Sequence, residues 1–297
     1  ERFFNKFNQF YKFSPDEILL ILEQECRLFE KILDEVNPDF LIIGYTTLHY
    51  NHLFYKICQA RGVKILTDRE MYLRGLFLIA SRSYLIDSTE YDKKHNFDSF
   101  SEIQNYIKKY DATTDTISYS TAFQSSKKKY LQSAIKYLFS DNSNVKTHFT
   151  YYGRSKFAVI RKMLSYELRK KYRKNFINKN LIRKIENGKP FIYFSLHTQQ
   201  ERSTLIHAPL FVNQTQVIAK IADSLPNGYN LYVKEHPNML TRGWREISDY
   251  KEIMNLPNVT LIHPFAKSLD IIKKSSLVIS IGGTSPLEAA FYNKPSI

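Results

Sequence analysis

The chain is 297 residues long, with 43% hydrophobic and 24% charged residues. This is the balance of an ordinary globular protein, and at roughly 100–200 residues per domain the length makes about two domains. The composition excludes a disordered tail, a collagen and a disulfide scaffold, and no apolar run approaches the ~18 residues of a membrane span. The 43 basic residues against 29 acidic give a net charge of +14, which favours polyanions, anionic lipid or phosphorylated small molecules without choosing among them. Cys26 and Cys58, the two cysteines, are too few for a zinc site or a disulfide framework. Their apolar contexts read as reduced core thiols of a cytoplasmic protein. The chain opens Glu1-Arg2-Phe3-Phe4 and stops at Lys294-Pro295-Ser296-Ile297, the start of a strand, so it is expected to be a fragment with both ends missing.

Ser14-Pro15-Asp16-Glu17 opens a helix: Ser14 caps, Pro15 suits the first helical position and Glu17 completes a capping box. Ile18, Leu22, Phe29, Leu33 and Val36 continue it at helical spacing to Asn37-Pro38. Asp39–Gly44 follows as a buried strand, His49–Arg61 as a helix stopped by Gly62, and Val63–Leu66 as a short strand. Leu76–Ala80 is a further strand-sized apolar run. Helix and strand alternating at these lengths predict a parallel sheet with crossover helices. Residues 83–150 are less regular, with helices near 99–109 and 126–138. Residues 161–185 hold ten basic residues against Glu167, interleaved with Met163, Leu164, Leu168, Tyr172 and Phe176. This is a helical connector with one apolar and one cationic face. It reads either as a solvated bridge or as a contact with anionic lipid or a polyanionic acceptor.

The turn Asn187-Gly188-Lys189-Pro190 opens a second domain. Strands at 191–196, 229–233, 259–262 and 277–281, helices at 214–224, 268–274 and 285–292, and a fifth strand from Pro295 make it a doubly wound α/β domain. In such sheets ligands bind beyond the carboxyl ends of the strands. The expected domains are therefore 1–150, a basic helical connector 151–187, and 188–297.

Three strand ends gather chemistry. His197-Thr198-Gln199-Gln200-Glu201-Arg202-Ser203-Thr204 puts an imidazole and an acid on one loop, though on spacing alone it reads equally as a polar surface loop. Lys234-Glu235-His236-Pro237 ends the next strand. Lys234 and His236 alternate to one side of it, and a cation with an imidazole suits a phosphate; a surface Lys with a buried His is the plainer reading. Ser280-Ile281-Gly282-Gly283-Thr284-Ser285-Pro286-Leu287-Glu288 runs from a strand through a Gly-Gly turn into a helix. Its glycines admit a close ligand, its free N–H groups face an anion, and Thr284 and Ser285 add hydroxyls. Glu288 lies one turn on, within reach of ribose. This is neither a Walker loop nor a G-x-G-x-x-G fingerprint, so ATP and NAD are disfavoured.

These residues, with Ala289 and Lys294-Pro295, resemble bacterial capsule and surface-polysaccharide biosynthesis proteins. Those are GT-B glycosyltransferases of the group that includes Kdo- and sialic-acid-transferring enzymes. The resemblance covers about residues 190–297 well and 15–66 loosely. Gln200 stands where that family's His-x-Gln-Pro-Glu pattern has Pro. The resemblance implies a GT-B-like fold, two Rossmann-like doubly wound domains facing a cleft, with the C-terminal one truncated. It implies that His236-Pro237 meets the phosphate of a CMP-sugar, that Gly282 and Gly283 hold phosphate, and that Glu288 holds ribose.

The expected activity is transfer of a sugar from a CMP- or UDP-sugar to a growing capsular or surface polysaccharide or its lipid-linked acceptor. Glu201, His236 and His197 are the candidate catalytic residues, with Glu201 as general base. Lys234, His236, Gly282, Gly283, Thr284, Ser285 and Glu288 are the donor-site candidates. Asp68, Arg69, Lys170, Lys171, Arg173 and Lys174 are candidate contacts to acceptor or membrane, with Asp68-Arg69-Glu70 expected to face the cleft. No Asp-x-Asp pair ends a strand of the second domain, so neither a metal nor a cofactor is expected, and the nucleotide-sugar is a substrate. The expected setting is cytoplasmic, with peripheral attachment to an anionic inner membrane face. The alternatives are a CDP-glycerol-type polyol-phosphate transferase, a UDP-sugar 2-epimerase-like enzyme, a nucleic-acid- or polyanion-binding protein and a non-catalytic surface-assembly protein. No nucleic-acid module is recognisable, so nucleic acid is not an expected partner.

Overall fold

A computed structural model describes residues 13–44, 46, 48–70, 77–81, 98–108, 126–140, 156–185, 188–199, 201 and 203–297. Asn187 and Gln200, both singled out in the sequence, lie outside the described residues. The chain falls into two compact units, one of Glu1–Tyr110 with Gln200–Pro209 and one of Asp111–Gln199 with Leu210–Ile297.

In the first unit, α1 (Pro15–Val36) begins with the expected capping box. The Ser14 hydroxyl accepts from the Glu17 N–H and the Glu17 carboxylate accepts from the Ser14 N–H. Asn37 ends the helix in the left-handed conformation (φ 43°), its N–H donating to the Leu33 carbonyl. Strand β1 (Phe40–Ile42), α2 (His49–Ala60) and β2 (Lys64–Glu70) follow. β1 and β2 pair in parallel, with Leu41 opposite Ile65. Leu33, Tyr55, Cys58 and Ile65 form the core between helices and strands.

The sheet is not wholly parallel as the sequence predicts. β3 (Phe77–Ala80) pairs antiparallel with the far half of β2, Thr67 opposite Ala80. Only residues 71–76 separate the two strands. A parallel return needs a crossover of about a dozen residues or more, so a short connection can only fold the chain back. That pairing also extends β2 through Asp68-Arg69-Glu70, past the strand expected at Val63–Leu66. α3 (Phe100–Lys108) completes the helices described in this unit.

The second unit contains α4 (Lys127–Phe139), α5 (Lys156–Asn180), β4 (Phe191–Ser195), α6 (Gln214–Asp223), β5 (Asn230–Lys234), α7 (Ile247–Met254), β6 (Val259–Ile262), α8 (Ser268–Lys274), β7 (Leu277–Ile279) and α9 (Ser285–Phe291). Its strands lie in the order β6-β5-β4-β7, all parallel. The chain from Pro295 adds to the β7 edge, Ser296 opposite Val278, as the sequence suggests. The mixed α/β class and the parallel doubly wound sheet are thus present.

Strand alternation separates two cores. Ile192, Phe194 and Leu196 face one side with Leu231 and Val233, covered by α5, α6 and α7 through Ile177, Ile218 and Tyr250. Phe191 and Tyr193 face the other with Tyr232 and Val278, covered by α8 and α9 through Ile271, Ile272 and Ala289. The sequence reading overlooked α7, a helix of eight residues with no side-chain cap at Glu246. Its signal was the three-residue spacing of Ile247, Tyr250 and Ile253.

Candidate functional site

In a parallel sheet of this order the strand sequence reverses between β4 and β7. Connections leave there to opposite faces, so a crevice opens at the carboxyl ends. The loops at that point are His197 onward, after β4, and Gly282-Gly283, after β7. They meet: a Cβ built on Gly282 would lie 3.7 Å from the His197 Nε2, and one on Gly283 3.9 Å from its Cε1. Gly283 has φ 89°, a conformation that L side chains rarely adopt. The turn is tied to the neighbouring strand through hydroxyls. Ser195 Oγ donates to Ser280 Oγ at 3.0 Å, and Ser280 Oγ donates to the Gly282 carbonyl.

A pocket of about 80 Å³ opens beside this turn. Its walls include Lys234, His236, Thr284, Ser285 and Glu288, with Tyr193, Ser195 and Ser268. Five predicted donor-site residues therefore converge. The register explains part of this, because Ser195 lies opposite Lys234 and Tyr193 opposite Tyr232, on one face of the sheet. A volume of this size holds roughly five to eight water-sized groups, enough for a phosphate and an attached edge but not a whole nucleotide-sugar.

Lys234 lines the pocket while only 3% exposed. His236 caps the 3₁₀ turn Pro237–Leu240, its Nδ1 accepting the Asn238 N–H at 3.1 Å. In the neutral ring this leaves the proton on Nε2, a donor. Burial pushes the Tyr193 phenol well above its ordinary pKa; a hydrogen bond with Ser268 opposes the shift and the Glu288 charge adds to it. The phenol therefore stays protonated.

Beneath the two histidine loops lies a buried polar network that the sequence reading missed. Glu235 is fully buried, and its carboxylate accepts from Arg245 Nε at 2.7 Å, Tyr250 Oη at 2.8 Å and the His236 N–H at 2.6 Å. Arg245 also donates to the His197 carbonyl. Gln214, at the start of α6, closes the same loop from the other side. Its Oε1 accepts the His197 N–H at 2.8 Å and its Nε2 donates to the His197 carbonyl at 3.1 Å. One charged pair thus braces the backbone at both His197 and His236. The Tyr250 phenol is held well above its ordinary pKa by burial and then by the Glu235 charge, so it remains a donor.

Other predicted residues stand elsewhere. Glu201 belongs to the first unit and is not among the pocket's described walls. Its carbonyl accepts the Leu205 N–H at 2.9 Å and its carboxylate the Ser203 hydroxyl at 3.3 Å, at the head of a helical turn over Ser203–His207. Asp68 and Arg69 lie within β2 of the first unit. Lys171 and Lys174 are exposed and Lys170 half-buried on α5. Arg173 turns inward, donating to the Gly243 and Trp244 carbonyls at 3.2 Å each and pairing with Glu246. Among the described residues no three His, Cys, Asp or Glu side chains converge as a metal site would require.

No family model matches the chain, and no curated protein matches it. Solved structures similar to it include S. aureus MnaA with UDP, at 18% identity and a TM-score of 0.28, over 97% of this chain and 63% of that one. Thermosulfurimonas dismutans KpsC, a beta Kdo 2,7 transferase, is 13% identical with a TM-score of 0.40, over 96% and 76%. Neisseria meningitidis UDP-GlcNAc 2-epimerase bound to UDP-GlcNAc is 15% identical with a TM-score of 0.29, over 98% and 66%. The chain thus spans less than two thirds of the MnaA chain.

Proposed function

We propose that the second unit binds the phosphate and ribose of a nucleotide-activated sugar, and that the protein is a glycosyltransferase. The single observation that carries the reading is the convergence of Lys234, His236, Thr284, Ser285 and Glu288 in one pocket beside the Gly282-Gly283 turn. A buried cation, a neutral imidazole donor, two hydroxyls and a glycine turn suit a phosphate. A carboxylate on the same wall suits ribose hydroxyls, as acceptor to two O–H groups.

In this mechanism the bond between the sugar's anomeric carbon and the phosphate oxygen breaks, and negative charge grows on the leaving nucleotide. Lys234 and the His236 Nε2–H stabilise that charge, as preorganised donors do at a developing anion. The acceptor hydroxyl forms the new bond to the anomeric carbon and releases its proton to water, with His197, beside the Gly282-Gly283 turn, orienting the reacting groups. The donor is a CMP- or UDP-sugar and the acceptor a capsular or surface glycan or its lipid-linked form, handled in the cytoplasm.

The test is a thermal-shift panel of CMP, CDP, UDP, UMP, GDP and ATP on the chain and on His236→Ala. A nucleotide at 100-fold its Kd stabilises by about 2.7 kcal/mol. The expected result is stabilisation by a pyrimidine nucleotide that His236→Ala weakens. No shift with any nucleotide, on a chain that melts cooperatively, overturns the reading.

A further inference from the structure

Helices α4 and α5 carry a pattern that the nucleotide pocket does not use. Together they hold thirteen Lys and Arg against one Glu, +12 of the chain's net +14. Helix α5 is also apolar on two opposite faces. One face turns inward, where Val159 and Ile177 are buried and Arg173 meets the Gly243 and Trp244 carbonyls. The other follows the three- and four-residue spacing of a single stripe. It leaves Phe157 72%, Leu164 56% and Leu168 69% exposed. Arg161 and Arg169 lie along the same groove of about 420 Å³. Helix α4 joins α5 through Lys156 Nζ, which reaches the Leu138 carbonyl at 3.2 Å, and it too leaves Leu131, Ile135 and Phe139 exposed.

A helix with two apolar faces has two partners to bury them. The inner face has the body of the second unit. The outer face sets these large apolar side chains among the exposed cations Arg161, Arg169 and Lys171. We propose that this outer face docks the protein on an anionic lipid bilayer. The apolar stripe enters the acyl boundary and the flanking Lys and Arg lie at the phosphate headgroups. Interfacial attachment grows with both terms, apolar area and attraction to anionic lipid. A nucleic acid or an anionic polysaccharide would neutralise the cations but leave Phe157, Leu164 and Leu168 in water, so the joint pattern favours the bilayer. No described helix is long and apolar enough to cross a membrane. This inference goes beyond the nucleotide reading and does not depend on it.

The test is co-sedimentation of the full 297-residue chain with vesicles of phosphatidylcholine and phosphatidylglycerol in equal parts, and with phosphatidylcholine alone. Two variants accompany it, Leu164→Ser with Leu168→Ser, and Arg161→Glu with Lys171→Glu. All four side chains are exposed, so both variants keep the fold, which the emission maximum of the buried Trp244 checks. The wild-type chain is expected to sediment with the mixed vesicles and not with phosphatidylcholine alone. Each variant is expected to reduce the partition coefficient by roughly tenfold or more. Failure of the wild-type chain to sediment with the mixed vesicles overturns the proposal. So does a serine variant that sediments as the wild type does, which would leave the apolar stripe outside the contact.

Discussion

Replacing Arg245 by Met tests the buried brace beneath the site. The substitution keeps the length and the apolar stem of the side chain and removes its charge and donors. Glu235, fully buried, would keep the Tyr250 hydroxyl at 2.8 Å and the His236 N–H at 2.6 Å but lose its ion pair with Arg245. Breaking a buried pair from one side costs about 3–5 kcal/mol, because the remaining charge stays out of water. Domains have only ~5–15 kcal/mol in hand, so the loss is a large share. Tyr250→Phe removes one hydrogen bond to the same carboxylate and should cost about 1.5–3 kcal/mol. Glu235→Gln combined with Arg245→Met removes the stranded charge and should recover at least ~1 kcal/mol relative to Arg245→Met alone. Urea unfolding followed by Trp fluorescence is the assay. Trp244 is the sole tryptophan, is buried and adjoins Arg245, so the signal reports this unit alone. A loss below ~1 kcal/mol for Arg245→Met, or a double variant weaker than the single, refutes the reasoning.

His263 is buried, its Nδ1 accepting the Phe265 N–H at 3.1 Å and its Nε2 lying 2.9 Å from Asn178 Oδ1. Its pKa is lowered to about 4 by burial, then by Arg183 and Lys234. The unfolded ring therefore binds the proton more tightly. Its contribution is present above pH ~6.5 and is lost as pH falls toward ~4, about 2 kcal/mol between pH 7.5 and 5. His263→Gln should flatten the pH dependence of the urea midpoint over that range, and an unchanged slope refutes the assignment. Gly283→Ala meets only the His197 Cε1, at an ordinary contact distance of 3.9 Å, but forces a side chain into φ 89°. It should cost roughly 1–2 kcal/mol by the same urea titration, and a neutral result means the turn relaxes freely. Glu288→Gln should weaken nucleotide binding by calorimetry about tenfold, or ~1.4 kcal/mol, through the ribose hydroxyls. Unchanged affinity removes Glu288 from the site.

Most element boundaries were legible because the chain marks them locally. Ser14 and Glu17 cap α1, Gly62 follows α2, and apolar runs of strand length end in polar loops. The convergence of Lys234, His236 and the Gly282–Glu288 segment was legible for a related reason, since the βαβ repeat brings the carboxyl ends of its strands to one edge. What escaped depends on contacts distant in sequence. Glu235 reads as one more charge between Lys234 and His236, and only the fold reveals that Arg245 and Tyr250 meet it in the interior. Arg173 reads as part of a solvated cationic face until the helix phase turns it toward the Gly243 and Trp244 carbonyls. The antiparallel β3 escaped because the alternation of helix and strand was extended past the point where the connection became too short for a crossover.

A crystal structure of the chain soaked with CMP or UDP tests the central claim most directly. The account predicts the phosphate between Lys234, His236 and the Gly282-Gly283 turn, with the ribose hydroxyls at the Glu288 carboxylate. A nucleotide bound elsewhere on the chain, with that pocket filled only by water, would contradict it.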